Sequence, residues 1–182
     1  VTHMLKPRFV VAASMIAIAA ATRLLPHPAN FAPITAIALF GGASLSDKRL
    51  AFAVPLFAML LSDAIIGFHN TMFFVYGSFA LIVGIGMTLR SRRRLLPLAS
   101  AAVASSILFF VVTNFGSWLT GTLYVKSFTG LAECYVAAIP FFQNTLVGDA
   151  VYTVALFGGM AIAQARFSVL RDKLLHGYPA LK

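Results

Sequence analysis

Residues 90–94 read Arg-Ser-Arg-Arg-Arg, a basic knot between two apolar stretches, about Thr71 to Leu89 and about Leu95 to Phe115. Neither stretch contains a charged residue. Each is about as long as a membrane-spanning helix, which needs roughly 20 mostly apolar residues. If both cross a bilayer, the knot marks the side on which they meet, and Lys and Arg collect on the cytoplasmic side. The same spacing recurs outward in both directions. Lys6 and Arg8 lead the first apolar stretch, Lys48 and Arg49 separate the second from the third, and Arg166, Arg171, Lys173 and Lys182 close the chain. Twelve of the fourteen Lys and Arg residues thus share one side, and only Arg23 and Lys126 fall near the other. An even number of spans, most simply six, with both termini cytoplasmic satisfies this pattern.

Composition points the same way. Hydrophobic residues make up 60% of the chain and charged residues 10%, against about 25% charged in soluble domains. The expected fold is an all-α membrane protein, one transmembrane domain over residues 1–182, with no room for a soluble catalytic domain. The net charge of +9 is accounted for by orientation and by anionic lipid headgroups. No basic face with stacking aromatics accompanies it, so nucleic acid is not an expected partner. The single cysteine, Cys134, forbids an internal disulfide and a zinc site built from several thiolates. No cofactor or metal site is expected. The amino-terminal apolar run lacks a small-residue cleavage site followed by a soluble region and reads as a retained helix.

The spans are expected at about Phe9–Leu25, Ala32–Leu45, Leu50–Phe68, Thr71–Leu89 and Leu95–Phe115, with the last at about Phe141–Gln164. Span one ends at Pro26-His27-Pro28, where the prolines remove backbone donors. Span two is short and rich in Ala and Gly, so it either begins below the outer surface or is shielded by neighbours. His69-Asn70 makes an outer turn. Gly116–Glu133 reads as the longest loop, its Trp118 and Tyr124 being either interfacial anchors or a ligand lid. The stretch from Cys134 to Arg166 is too long for one perpendicular helix, and Pro140 with Gln143-Asn144 suggests a short leading helix or re-entrant piece.

Of the five acidic residues, Asp63 and Asp149 lie inside expected spans. An ionisable group at bilayer depth costs at least ~2.5 kcal/mol on insertion scales and normally faces the bundle interior with a partner. Both fall in the outer half. His27, Asn30, Asn114, Gln143 and Asn144 border the same outer face, so the polar residues converge on an outward-opening pocket. Against this stands a purely structural role, in which the two carboxylates hold helices in register through neighbouring hydroxyls or backbone. Ala13, Ala17 and Ala21 recur every four residues on span one, forming a smooth face either for packing within the bundle or for a separate membrane subunit.

Residues 23–33 (RLLPHPANFAP), 38–43 (ALFGGA), 61–63 (LSD) and 138–146 (AIPFFQNTL) carry a family likeness. With six short spans and the Ala face, they resemble the S-components of energy-coupling-factor vitamin transporters. The likeness is closest to a widespread family of small bacterial membrane proteins similar to the solitary S-components that take up cobalamin. It implies a bacterial cytoplasmic (inner) membrane and an outer site for a vitamin-like small molecule, including a corrinoid. The first, third and fifth connections would form the pocket, and His27 and Asp63 would contact the ligand. The cobalamin-handling relatives ligate cobalt through a cysteine near the start of span four, where this chain has Tyr76 or its neighbours. Gln143 stands where the wider family often has arginine. His27 or His69 offers an imidazole in place of the thiolate. No Walker motif is present, so energy would come from a partner ATPase or the substrate gradient.

Three functional classes follow. The first is a membrane substrate-binding or transport protein, with a small-molecule ligand, the lipid membrane and an energy-coupling subunit as partners. The second is a non-transporting accessory subunit of a larger membrane complex. The third is an intramembrane enzyme with Asp63 and Asp149 as a carboxylate dyad, which requires the two groups within a few ångströms.

Overall fold

The computed structural model describes residues 6–91 and 94–171, and every regular element among these is a helix. The basic residues Arg92, Arg93, Lys173 and Lys182 lie outside the described residues. Helix α1 (Pro7–Ala21) ends in a 3-10 turn, Thr22–Leu24. It is followed by α2 (Ile34–Ser44), α3 (Lys48–Ile66), α4 (Met72–Thr88) and α5 (Leu95–Thr120). Helix α6 (Phe128–Thr153) passes through a π-helical turn, Val154–Gly158, into α7 (Gly159–Arg166). Five of these units are long and apolar enough to cross a membrane, and large apolar side chains such as Phe57, Ile65, Phe73 and Ile162 face outward. The chain is thus a helical, multi-pass membrane protein.

The sixth expected span is the exception. Helix α2 has only 11 residues, about 16 Å at 1.5 Å per residue, or roughly half the hydrocarbon thickness. Every residue from Thr35 to Ser44 is buried. Its sequence, ITAIALFGGAS, has no polar face to show to water or headgroups, and a helix that is apolar all round belongs in an interior. It is therefore a shielded core helix around which α1, α3, α4, α5 and α6 stand.

Small residues bring the neighbours close. A Cβ added to Gly86 on α4 would sit 2.2 Å from the Leu39 carbonyl oxygen, and one on Gly42 would sit 2.1 Å from that of Val83. On another side Gly41 accommodates the ring of Pro55, which lies inside α3. Phe40, fully buried, meets Phe157 of the π-turn edge-on at 5.2 Å between ring centroids.

Two expected boundaries are corrected. Helix α5 does not stop at Phe115 but winds on to Thr120, and the helix resumes at Phe128, leaving a loop of residues 121–127 in place of 116–133. The hydroxyls of Thr113, Ser117 and Thr120 donate to carbonyls one turn back, at 2.7, 3.0 and 2.9 Å, so polar side chains continue the helix without competing for loop geometry. Gly116 is no breaker either, since it makes room for the Phe74 ring. Within the short loop, Lys126 Nζ donates to the carbonyls of Trp118 and Gly121, and Trp118 Nε1 to that of Val125 at 3.0 Å. The second correction concerns Pro140 and Gln143-Asn144, which interrupt nothing: helix runs unbroken over Phe128–Arg166. That is 39 residues, about 58 Å long.

Arg90 meets Leu45 and Ser46 at one end, while Arg23 meets Asp63 and Asn144 meets Ala29 toward the other; successive helices thus run in alternate directions, which brings Lys6, Arg8, Lys48, Arg49, Arg90, Arg94 and Arg166 to one end of the bundle, hereafter the basic end. Arg23 and Lys126 lie toward the far end.

Substitution Gly86→Ala is expected to lower the thermal unfolding temperature of the detergent-solubilised protein, at a cost of about 1–3 kcal/mol, because the carbonyl it meets belongs to a rigid buried helix. Gly84, on the same helix, faces open space, and Gly84→Ala should leave stability unchanged or raised.

Candidate functional site

The far half of the bundle holds two buried carboxylates with different partners. Asp63 sits on the last turns of α3, and its side chain is 1% exposed. One oxygen takes the guanidinium of Arg23, in the 3-10 turn after α1, at 2.7 Å. The other accepts the Tyr76 hydroxyl of α4, also at 2.7 Å. Arg23 Nη1 donates to the Ser62 hydroxyl and, at 3.5 Å, to the Met59 sulfur. Three helices are thereby tied through one charged cluster. Breaking such a pair strands the remaining charge, whereas both charges together are tolerated.

Asp149, on α6, is 2% exposed and has no cation beside it among the described residues. Its oxygens accept the hydroxyls of Thr35 on α2 at 2.5 Å and Ser106 on α5 at 2.6 Å. The backbone N–H of Ala36 also donates to it. Thr35 and Ala36 belong to the first turn of α2, where N–H groups have no partner inside the helix and the dipole is positive. Asp149 therefore serves as a cap supplied from another helix. At the opposite end of α2, Arg90 donates from Nε to the Gly42 carbonyl at 2.9 Å, from Nη2 to Leu45 at 2.6 Å and from Nη1 to Ser46 at 3.1 Å.

Because α2 begins inside the bundle, space is left beyond its first turn. A cavity of ≈ 220 Å³ opens there, lined by Arg23, His27, Asn30, Ala32, Ile34, Thr35, Ile66, Phe109 and Thr145. The connection between α1 and α2 forms its mouth. Asn144 holds that segment by donating from Nδ2 to the Ala29 carbonyl at 3.0 Å. Asn30 takes a left-handed backbone conformation, φ 61°, which Asn adopts more readily than most residues.

Of the residues singled out in the sequence, His27 and Asn30 line the cavity. Asp63 and Asp149 stand one shell behind it, screened by Arg23 and Thr35. Tyr76 supports Asp63 from the side. Asn144 secures the mouth. His69 lies on an exposed turn with its ring nitrogen 2.8 Å from the Thr71 hydroxyl, and Gln143 is exposed on α6. Asn114 donates to the Phe110 carbonyl of its own helix, and its carbonyl accepts from Cys134 at 3.5 Å. None of these three lines the cavity. The two carboxylates expected as a dyad engage separate partners, with no hydrogen bond between them among the described residues.

Arg23, Thr35, Thr145 and Phe109 are the additions. Arg23 carried a signal: it is one of two basic residues away from the basic end, and a lone cation in apolar sequence requires a buried anion. Thr35, Thr145 and Phe109 carried none, since such residues are ordinary in membrane helices.

A second concavity lies between α1 and α3. It is an apolar groove of ≈ 530 Å³ whose walls include Ala13, Ala17, Ala20 and Ala21 on one side and Ala53, Phe57, Ala58 and Leu61 on the other. Ala17 and Ala21 are exposed, so the Ala face is not consumed by packing within the described bundle. Ser62 also lines the groove.

A family model described as a family of unknown function (DUF6580) matches residues 3–172. No curated protein and no solved structure matches the chain.

Arg23→Met or Asp63→Leu alone is expected to cost about 3–5 kcal/mol of stability, because each strands a buried charge. The double substitution should recover most of that loss, less the contribution of a Tyr76 hydroxyl left without its acceptor. Thermal or denaturant unfolding of the four proteins closes the cycle, and additive losses would count against a coupled pair.

Proposed function

We propose that the chain, which belongs to the DUF6580 family, is a membrane substrate-binding or transport protein that takes a small molecule into the cavity at the far end of the bundle. The observation that carries this reading is the cavity itself. It joins apolar walls to a few convergent polar groups and a buried charged pair, the usual make-up of a ligand site. The likeness of the sequence to S-components of vitamin transporters supports the same class. The charge distribution supports an orientation with the basic end and both termini in the cytoplasm and the cavity facing outward; a bacterial inner membrane follows from the likeness.

Size narrows the ligand. At ≈ 220 Å³ the cavity falls below the ~300 Å³ at which sites for drug-sized molecules begin. A whole corrinoid does not fit in this conformation, and a much smaller molecule does.

A second reading rests on the groove between α1 and α3. Its exposed Ala17 and Ala21 allow the close backbone approach that membrane helices use to associate. An energy-coupling subunit, or a neighbour in a larger membrane complex, is the partner of matching chemistry.

Native mass spectrometry of the gently extracted protein tests both. The transport reading expects a stoichiometric small ligand in the wild type, lost in Ala32→Phe, which fills the cavity without removing a hydrogen bond. An empty cavity with stably co-purifying membrane subunits favours the accessory reading instead. Ala17→Leu should abolish association with such a subunit while sparing ligand and fold, because Ala17 points out of the bundle.

A further inference from the structure

We infer that the cavity takes a small monocarboxylate whose carboxylate group is bound by Arg23, an inference that rests on reading the cavity as a ligand site. Arg23 is 11% exposed and lines the cavity. A guanidinium has five N–H donors. Two on Nη1 go to Ser62 and Met59, and one on Nη2 goes to Asp63. The Nε–H and the second Nη2–H have no acceptor among the described residues. Arg23 Nε is not among the buried polar atoms left without a partner, so it stays accessible on a side chain that lines the cavity, and a planar oxyanion is the group that a guanidinium engages through two donors at once.

The charge balance admits at most a single negative charge. Among the described residues Arg23 is the only Lys or Arg lining the cavity, and Asp63 at 2.7 Å already draws on its charge. A dianion such as phosphate would face Asp63 with no second fixed cation to offset it. A monocarboxylate adds one charge and completes the donor set.

Two threonines of the lining complement the rest of the molecule. The Thr35 hydroxyl spends its hydrogen on Asp149, and that of Thr145 spends its own on the Phe141 carbonyl at 3.3 Å. Both oxygens therefore meet the cavity as acceptors, and the Asp149 carboxylate lies behind Thr35. A ligand with a hydroxyl or amine remote from its carboxylate matches both ends. Room for about seven waters at ~30 Å³ each bounds its size.

The test uses the full chain in detergent or nanodiscs and two isosteric probes, meta-hydroxybenzoate and meta-hydroxybenzamide, with inorganic phosphate as a third. Calorimetry or ligand-induced thermal stabilisation is expected to place the acid at least about tenfold tighter than the amide, the ratio for hydrogen bonds to a charged group. Phosphate should have little effect. Arg23→Gln should abolish the advantage of the acid. Arg23→Lys, which keeps the charge and loses the planar fork, should reduce it and serves where the Gln variant does not fold. Equal binding of acid and amide overturns the carboxylate assignment while leaving the cavity a ligand site. Preference for phosphate, or an acid advantage that survives in Arg23→Gln, overturns it as well. Failure of both organic probes to bind removes the assignment, and the mass-spectrometric occupancy of the wild type then decides separately whether the cavity holds any ligand.

Discussion

A helix sealed inside a bundle keeps its first N–H and last C=O groups away from water, and in apolar surroundings each unsatisfied group costs several kcal/mol. Helix α2 meets this cost at both ends with charged side chains from other helices. Asp149 of α6 takes donors from the first turn, and Arg90, just beyond α4, donates to Gly42 in the last turn and to Leu45 and Ser46 just past it. The signs match the helix dipole, negative at the amino end and positive at the carboxyl end, an arrangement worth up to ~2 kcal/mol in partly buried geometries. The close Gly42–Gly86 crossing of α2 and α4 then sets the distance at which Arg90 reaches its carbonyls. The cavity follows from the same constraint. A full-length span would have filled the far half of the core, whereas one that begins at Ile34 leaves that half to the connection from α1 and to Arg23.

The two intramembrane acids consequently differ in kind. Asp63 is balanced by a cation and its charge is spent locally. Asp149 is held by hydroxyls and the positive end of a helix, with no side-chain cation in contact among the described residues. Their partner sets do not overlap, which supports two separate duties, one in the wall of the cavity and one in anchoring the core helix. Acid–base chemistry between them would require the shared proton of a close pair, and the hydrogen bonds give each carboxylate other partners instead.

The helical membrane class was legible in the sequence because hydrophobic runs and basic knots are dictated by the bilayer itself. Helix α2 was legible as an anomaly, too short and too rich in Gly and Ala, but its burial on all sides depends on neighbours that a sequence does not position. The ends of α5 and α6 were misread because Gly116, Ser117 and Pro140 are loop-formers in water; in the bundle, back-bonding hydroxyls and close packing keep them helical. At the site, Asp63 and Asp149 stood out by the cost of their charge, and His27 and Asn30 by lying in a proline-bound segment. Arg23 was noticed only as an exception to the orientation rule. Its pairing with Asp63 spans 40 positions of sequence, and nothing local announces it.

Arg23 and Ser62 also link the two concavities. Arg23 lines the cavity, Ser62 lines the α1–α3 groove, and the two side chains are hydrogen-bonded to each other. A helix seated in the groove would press on Ser62, and a ligand in the cavity would pull on Arg23, so each would act on the same contact. Linkage requires any such influence to be reciprocal: whatever a docked helix does to ligand affinity, the ligand does equally to docking. A transporter driven by a partner needs that relation between its substrate site and its docking face. An accessory subunit needs only the groove and has no use for an arginine that lines a polar cavity. On this ground Arg23 weighs toward transport, even though the groove by itself is compatible with either role.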